Sequence, residues 1–511
     1  MSQSLPNHVP SSEKACVAIW FRSDLRTSDN QALWLACEAA RAQGLPLRGF
    51  YIATPAQWQQ HSVGPMQLDF IERSVNQLQR ALASLGIAFD LLHCDDFSLV
   101  NATVEEYCQR QGVKQIFAGR EVEINEQRRD QALAQLTRTI GVGLQFTDEH
   151  CLLPPGSVRT QGGEMYRVFT PFFRRWRELL EREAITPLPV PAPLAPALPE
   201  PAELSFKVSK QDSKQDSKQD SKQDSKQDSH HWPVGEGAAR QRLDSFIANQ
   251  LADYGQERDF PALDGTSCLS PYLAFGILSP RQCVAALLNR FPEAMAEDNS
   301  PGRSWLAELA WREFYRHLLH AWPQLCMGRN FNVLGDDIVW RNDPQEFAAW
   351  CEGRTGYPLV DAAMRQLNQT GWMHNRLRMV TASFLTKHLL VDWRWGEQYF
   401  RRALIDGDLA ANNGGWQWSA GTGCDAQPYF RIFNPMSQSE KFDPDASFIR
   451  RYLPELAHWP LKQIHHPGTA ASSRFTEPSL FATAAYPPPI VEHSAARQRA
   501  LTALAVLKKS A

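Results

Sequence analysis

The stretch Asp406-Gly407-Asp408-Leu409-Ala410-Ala411-Asn412-Asn413-Gly414-Gly415-Trp416-Gln417-Trp418 decides how the rest of the chain reads. Two acids flank a Gly, two Asn precede two Gly, and two Trp stand one residue apart. Asn and Gly favour turns and left-handed backbone, so this is not the mixture of an ordinary helix. A Gly pair lets a flat ligand approach the main chain. Asp and Asn supply acceptors and donors, and each Trp adds a broad apolar face with one N–H. The spacing predicts the wall of a pocket for a flat aromatic cofactor with polar edges.

Around that wall, from about His231 onward, Leu, Ala, Phe and Trp recur at three- and four-residue spacing over 303–321, 346–352, 359–370, 375–391 and 395–405. This predicts an all-α domain over 233–480. Ten of the 16 Trp lie between Trp305 and Trp418, denser than core packing alone calls for. The N-terminal part reads differently. Cys16–Phe21 is a short apolar run, followed by a polar loop to Asn30 and a helix from Gln31. Further strand-like runs at 45–53, 88–93 and 114–118 alternate with helical patterns over 66–85 and 99–111. Strands alternating with helices predict a parallel, Rossmann-like α/β domain over 14–148. No Gly-x-Gly-x-x-Gly follows the first strand, so a dinucleotide fingerprint is not indicated.

Residues 149–232 read as an interdomain linker in which 165–176 start a helix packing on both domains. The linker then turns Pro-rich over 187–201 and carries five copies of Ser-Lys-Gln-Asp at 209–228. Each copy is neutral and polar and buries too little to offset chain entropy, which predicts a disordered or marginally helical insertion without a catalytic role. Residues 481–511 read as a short helix or loose tail. At 511 residues, two domains plus linkers is the expectation. No run of roughly 18 apolar residues occurs, so no membrane span is expected. The first residues lack a signal-peptide pattern. Ten scattered Cys form no Cys-x-x-Cys pair and no zinc-type cluster, which points to reduced thiols in the cytoplasm and no metal. The net charge of −3 means that any nucleic-acid surface must be a local patch.

Segments 266–273, 308–315, 355–367, 371–380 and 429–438, with the 406–418 stretch, closely resemble the photolyase/cryptochrome family. The likeness is greatest to bacterial class I cyclobutane pyrimidine dimer photolyases carrying a folate antenna. It runs from about 16 to about 460, interrupted near 190–245. The resemblance implies a monomeric enzyme in which reduced FAD, excited by light, lends an electron to a pyrimidine dimer flipped out of UV-damaged DNA.

Onto the matching positions the resemblance carries these roles. FAD is held by Tyr254, by Thr266, Ser267, Cys268, Leu269 and Ser270, and by Arg378, Asp406, Gly407, Asp408 and Asn412. Thr266 to Ser270 would meet its phosphates at a helix start, Arg378 and Asp406 would bracket the ring, Asp408 would contact the adenine/ribose side or ring edge, and Asn412 would face N5. Glu308, Trp311, Met379, Trp418 and Asn412 form the catalytic set. Glu308, held protonated in an apolar pocket, would hydrogen-bond a thymine carbonyl, and the two Trp would stack on the dimer. Arg258, Arg312, Asn375, Arg376 and Gln438, with Glu308 and Trp311, would meet the DNA. Trp340, Trp393 and Trp416 match an electron relay to the flavin. His61, Asn125 and Glu126 match residues that hold a 5,10-methenyltetrahydrofolate antenna. Met327 departs from the family's usual Lys, which removes a contact to the folate tail. Relatives often have a basic residue where Cys268 stands. The alternatives are a cryptochrome-type blue-light receptor or a DASH-like enzyme restricted to single strands. Asn412, Glu308 and Met379 favour repair.

Overall fold

The computed structural model describes residues 15–182, 185–206, 228–466 and 486–509. Strands β1 (Cys16–Trp20), β2 (Leu47–Ala53), β3 (Ala88–His93), β4 (Val113–Gly119) and β5 (Gly143–Thr147) form one parallel sheet in the order β3-β2-β1-β4-β5. The central β1 is buried at every residue, which is why it reads as a continuous apolar run and not as an alternating one. Between the strands run α1 (Gln31–Gln43), α2 (Pro55–Gln60), α3 (Pro65–Ser84), α4 (Val100–Gln111) and α5 (Ile124–Thr139). The connection to the second domain carries α6 (Phe169–Leu180).

The second domain is helical. It opens with α7 (Glu236–Asn249), α8 (Tyr254–Glu257), α9 (Ser270–Ala274), α10 (Pro280–Arg290) and α11 (Arg303–Ala321). Next come α12 (Pro344–Cys351), α13 (Pro358–Thr370), α14 (Asn375–Ser383), α15 (Trp393–Ala403) and α16 (Leu409–Ala420). It closes with α17 (Pro435–Phe442), α18 (Ser447–Tyr452), α19 (Leu461–His465) and α20 (His493–Ala503). One apolar cluster runs from β1 and α3 through α6 into α11, so the core is shared across the domain boundary. Polar ties reinforce the boundary. Arg26 of the first loop donates to the Gly276 carbonyl at 3.0 Å, and Arg281 pairs with Asp29 at 3.0 Å. Gly276 has φ +60, and a Cβ there would sit 2.2 Å from the Ser23 carbonyl oxygen, so only Gly allows this approach.

Two expectations are corrected, a fifth strand is added and the tail is placed. The 406–418 stretch is not turn-like: most of it is α16, capped by Asp408, whose carboxylate accepts from Ala411 N at 3.2 Å. Tertiary packing overrides propensity here, because Gly414 lets the helix lie against Tyr315 with no room for a side chain. The helix expected over 375–391 ends at Ser383 and continues as a π-turn, Phe384–His388. The turn aims Lys387 Nζ at the Arg431 carbonyl, 2.7 Å away, and His388 Nε2 at His493 Nδ1, 2.9 Å away. The strand β5 is a fifth element that the apolar pattern does not announce, since its residues are half exposed. The tail is docked where it is described: Tyr357 donates to the Val491 carbonyl at 2.8 Å, and α20 packs on Ile338. The Ser-Lys-Gln-Asp repeat lies outside the described residues except for Asp228.

Candidate functional site

Three groups of the expected residues come together, each in its own place. The first lines a cavity of about 390 Å³ between the domains. His61 ends α2, while Asn125 and Glu126 open α5. The side-chain amides of Gln57 and Asn125 reach His61 Nε2 at 2.6 and 3.0 Å. A ring nitrogen approached by two amide NH2 groups accepts, which leaves the proton on Nδ1. Burial, then the Arg401 guanidinium, holds the imidazole below its ordinary value, so it stays neutral. Glu126 Oε1 lies 3.9 Å from His61 Nδ1. Burial, then Glu123 and Glu121, pushes the Glu126 carboxyl up to about 8. Below that pH it is an acid able to donate. Cys326 and Leu409 close the apolar side of the cavity. Met327 is 55% exposed beside it and offers no charge.

The second group is the set of residues expected to form the flavin wall. Arg378 donates to Asp406 Oδ2 at 2.8 Å and is itself steadied by the Met373 carbonyl at 2.8 Å. Asp406 Oδ1 is buried and has no partner among the described residues. Ser267 and Ser270 are fixed from outside their segment: the Ser267 carbonyl accepts from Arg242 Nε at 2.8 Å, and Ser270 Oγ from Trp372 Nε1 at 3.2 Å. Thr266 Oγ1 and Cys268 Sγ lie 3.4 Å apart, and Cys268 holds φ +46. Leu269 is buried, and so is Tyr254, with the Arg258 guanidinium 5.4 Å above its ring. Arg242 and Trp372 went unread in the sequence, because their contacts depend on segments 25 and 102 residues away.

Three further placements bear on the expected roles. The helix after the expected phosphate segment, α9, has five residues, so it supplies little dipole for an anion. Asp408 pairs with Arg316 and, with Gly407, lines the interdomain cavity. Asn412 stands at the edge of that same cavity, its Nδ2 donating to the Glu397 carbonyl at 3.0 Å, so Oδ1 is the atom left for a ligand.

The third group is the face expected to meet DNA. Arg376 pairs with Asp259 at 2.7 Å, lies 4.5 Å over the Phe442 ring, and reaches Met379 Sδ at 3.8 Å. It thereby draws α17, with Gln438, beside α14, whose Asn375 is exposed. Glu308 does not stand alone in an apolar wall. It is paired with Arg258 at 2.8 Å, because an Arg from α8 fills the space beside α11. Arg312 is also placed elsewhere: its guanidinium serves the carbonyls of His150, at 2.5 Å, and Leu273, at 2.9 Å, which makes it an interdomain brace. Trp311 stacks face to face with Phe169, centroids 3.7 Å apart. Trp418 is half-buried, its carbonyl accepting from Gln427 N at 3.2 Å. Trp416 and Trp393 are buried in one apolar cluster, and Trp340 is half-buried at its rim.

The comparisons with known proteins fall on the same two halves. Residues 17–194 match the family described as DNA photolyase, and residues 305–506 the FAD binding domain of DNA photolyase. The chain is 46% identical over 486 residues to a deoxyribodipyrimidine photo-lyase of Vibrio cholerae, covering 94% of this chain and 97% of that protein. This chain belongs to the DNA photolyase family. An Escherichia coli relative of the same description is 47% identical over 492 residues, 96% of this chain and 98% of its own. Among solved structures, a class III photolyase from Agrobacterium tumefaciens superposes with a TM-score of 0.82 at 37% identity, covering 99% of this chain and 100% of that one. A Synechocystis cryptochrome superposes with 0.77 at 28% identity, over 97% of this chain and 100% of that one. Photolyases and at least one cryptochrome thus share this fold, and side chains must separate them.

The helical half carries the family's FAD-binding domain, and the buried, unpartnered Asp406 Oδ1 fits it. That oxygen needs a hydrogen-bond donor, and Arg378 beside it has a fork suited to a planar polar edge. Among the described residues, no three His, Cys, Asp or Glu gather to hold a metal ion.

Proposed function

We propose that this chain is a light-dependent deoxyribodipyrimidine photo-lyase, which binds UV-damaged DNA and splits cyclobutane pyrimidine dimers. The observation that carries the reading is the 46–47% identity, over nearly the whole of both chains, to two proteins of that description. When bound, FAD supplies a light-excitable electron donor, and the dimer needs an electron lent and returned, so no net oxidation results. The protein's part is to hold and orient. Arg378 and Asp406 grip the flavin edge, and Asn412 Oδ1 is an acceptor that adds no charge. Trp311 and Trp418 supply flat walls for a flipped-out dimer. Arg258, Arg376, Asn375 and Gln438 supply phosphate and rim contacts that carry affinity without sequence information. Since Arg258 is paired with Glu308, a phosphate that attracts Arg258 also releases Glu308 toward the pocket, where its carboxyl, on taking up a proton, can donate to a thymine carbonyl.

The interdomain cavity is assigned to 5,10-methenyltetrahydrofolate. A neutral acid at Glu126, an imidazole N–H at His61 and the Asn125 amide form the mixed donor–acceptor array that a pterin edge requires. Met327 meets no anionic tail, so Met327→Lys should tighten folate binding and make it more salt-sensitive. If Glu126→Ala takes up folate as well as the parent does, the antenna is of another kind, such as a deazaflavin. The ten unpaired Cys suit a reducing, cytoplasmic setting, and among the described residues no helix is long and apolar enough to cross a membrane. We take the working unit to be a monomer.

The deciding experiment adds a dimer-containing oligonucleotide to the flavin-reduced protein and follows dimer loss under blue light. Light-dependent restoration of thymine absorbance is the expected result. Light-driven flavin changes without any dimer loss would favour the cryptochrome reading, which the Synechocystis superposition keeps in play.

A further inference from the structure

We infer that Phe169, on the connection between the domains, is a positioning residue for the lesion pocket that fixes the plane of Trp311. The inference rests on the repair reading above. Phe169 is 8% exposed and lies parallel to Trp311, 3.7 Å between centroids and 9° between planes. Phe173 also lies nearly parallel to Phe169, at 5.4 Å and 11°, which helps to hold the Phe169 ring in its plane. Among the described residues no second ring lies parallel to Trp311: Phe314 meets it edge-on at 79°, and Tyr315 is tilted by 34°. One face of the indole is therefore clamped and the other is left for a flat ligand.

The clamp is tied to the second stacking wall as well. The Phe169 N–H donates to Asp425 Oδ2 at 3.0 Å, which supplies a carboxylate to the α6 N-terminus from a distant segment. One residue before Asp425 and two before Phe169, Cys424 Sγ donates to the Arg167 carbonyl at 2.8 Å. Asp425 holds φ +51, a backbone that Asp tolerates better than most residues. Its loop closes back on Trp418 through Gln427 N. Residues 167–169 thus strap Trp311 to the loop that follows Trp418, and the angle between the two walls depends on a segment outside the flavin domain. A residue that served only as core would affect stability without affecting lesion preference.

The test uses FAD-loaded, reduced protein in the dark and measures affinity for an oligonucleotide with one thymine dimer and for the same strand undamaged. Phe169→Leu keeps the apolar bulk and loses the flat ring. It should weaken dimer binding roughly 2- to 10-fold, the range expected for an aromatic pair, with undamaged-DNA affinity and flavin content unchanged. Phe169→Tyr keeps the ring and should stay near the parent. Asp425→Ala, which loosens the strap without touching either Trp, should move lesion preference in the same direction as Phe169→Leu. An unchanged dimer-to-undamaged ratio in Phe169→Leu, or equal losses in Phe169→Leu and Phe169→Tyr, would overturn the assignment. A parent protein with no preference for dimers would overturn the repair reading itself, and this inference with it.

Discussion

Glu308 and Glu126 show how much of a site's chemistry is decided one residue at a time. Glu308→Ala should lower the quantum yield of repair roughly tenfold, the scale of a lost hydrogen bond to a charged group, with the flavin still bound. Glu308→Gln should retain more activity, because its amide NH2 can donate to a thymine carbonyl without taking up a proton and its oxygen can still accept from Arg258. Repair unchanged in both would remove Glu308 from the mechanism. Glu126 gives a pH signature. Its carboxyl is pushed up to about 8 by burial, then by Glu123 and Glu121, against 4.5 for the free side chain. Between those values the folded state holds a proton that the unfolded chain has released, so stability falls as pH rises from about 4.5 to about 8. Glu126→Gln cannot ionise, so its melting temperature should gain on the parent as pH goes from 5 to 8. A constant difference across that range would mean that Glu126 does not titrate there. At this scale the motifs singled out His61, Asn125 and Glu126, which the fold brings to one cavity, but gave neither the Arg258–Glu308 pair nor the Arg312 brace. Those depend on which side chain crosses from a neighbouring helix, and no local pattern encodes that.

Helix α16 marks where reading by element failed and why. Its Asn and Gly content reads as turn, yet residues 409–420 are helical because their neighbours require it. Asn413 donates to Glu397 Oε1 at 2.8 Å, Asp408 caps the first turn, and Gly414 admits the Tyr315 ring. A Cβ at Gly414 would lie 2.2 Å from two ring carbons of Tyr315, whereas one at Gly415 meets nothing within 4 Å. Ala is the better helix former by about 1 kcal/mol at either position, but forced overpacking costs ~1–3 kcal/mol. Gly414→Ala should therefore destabilise the flavin-free protein, and Gly415→Ala should stabilise it slightly. Thermal unfolding of the two variants decides this, and equal shifts would mean that α16 does not pack on α11 as described. The other elements were more legible, since α3, β3, α11 and α13 follow clean apolar periodicities. The helix across 384–388 could not be read, because a π-turn leaves the apolar spacing of its surroundings almost intact.

Over the whole molecule, the assignment with the widest reach is the proposed tryptophan relay, which would join the proposed flavin wall to the protein surface through the core of the helical domain. Trp416 is 2% exposed and packs against Gly396, where a Cβ would fall 2.1 Å from its ring. Trp393 is fully buried, its indole N–H donating to Asn330 Oδ1 at 2.9 Å. Trp340 is half-buried, packed between that core and the cluster built by α20, so the docked tail borders the outer end of the relay. Phe fits the space of Trp at a half-buried site but is far harder to oxidise. Trp340→Phe should therefore leave fold, flavin content and repair by chemically reduced protein unchanged, while photoreduction of the oxidised flavin by an external thiol slows sharply. Following flavin absorbance under blue light, and then dimer loss after dithionite reduction, separates the two activities in one sample. Inactivity after chemical reduction would mean that Trp340 serves structure or substrate instead of the relay. Undiminished photoreduction would move the relay to another branch. Trp350, whose ring lies 6.0 Å from that of Trp416 and 5.9 Å from Phe347, would then be the next residue to replace.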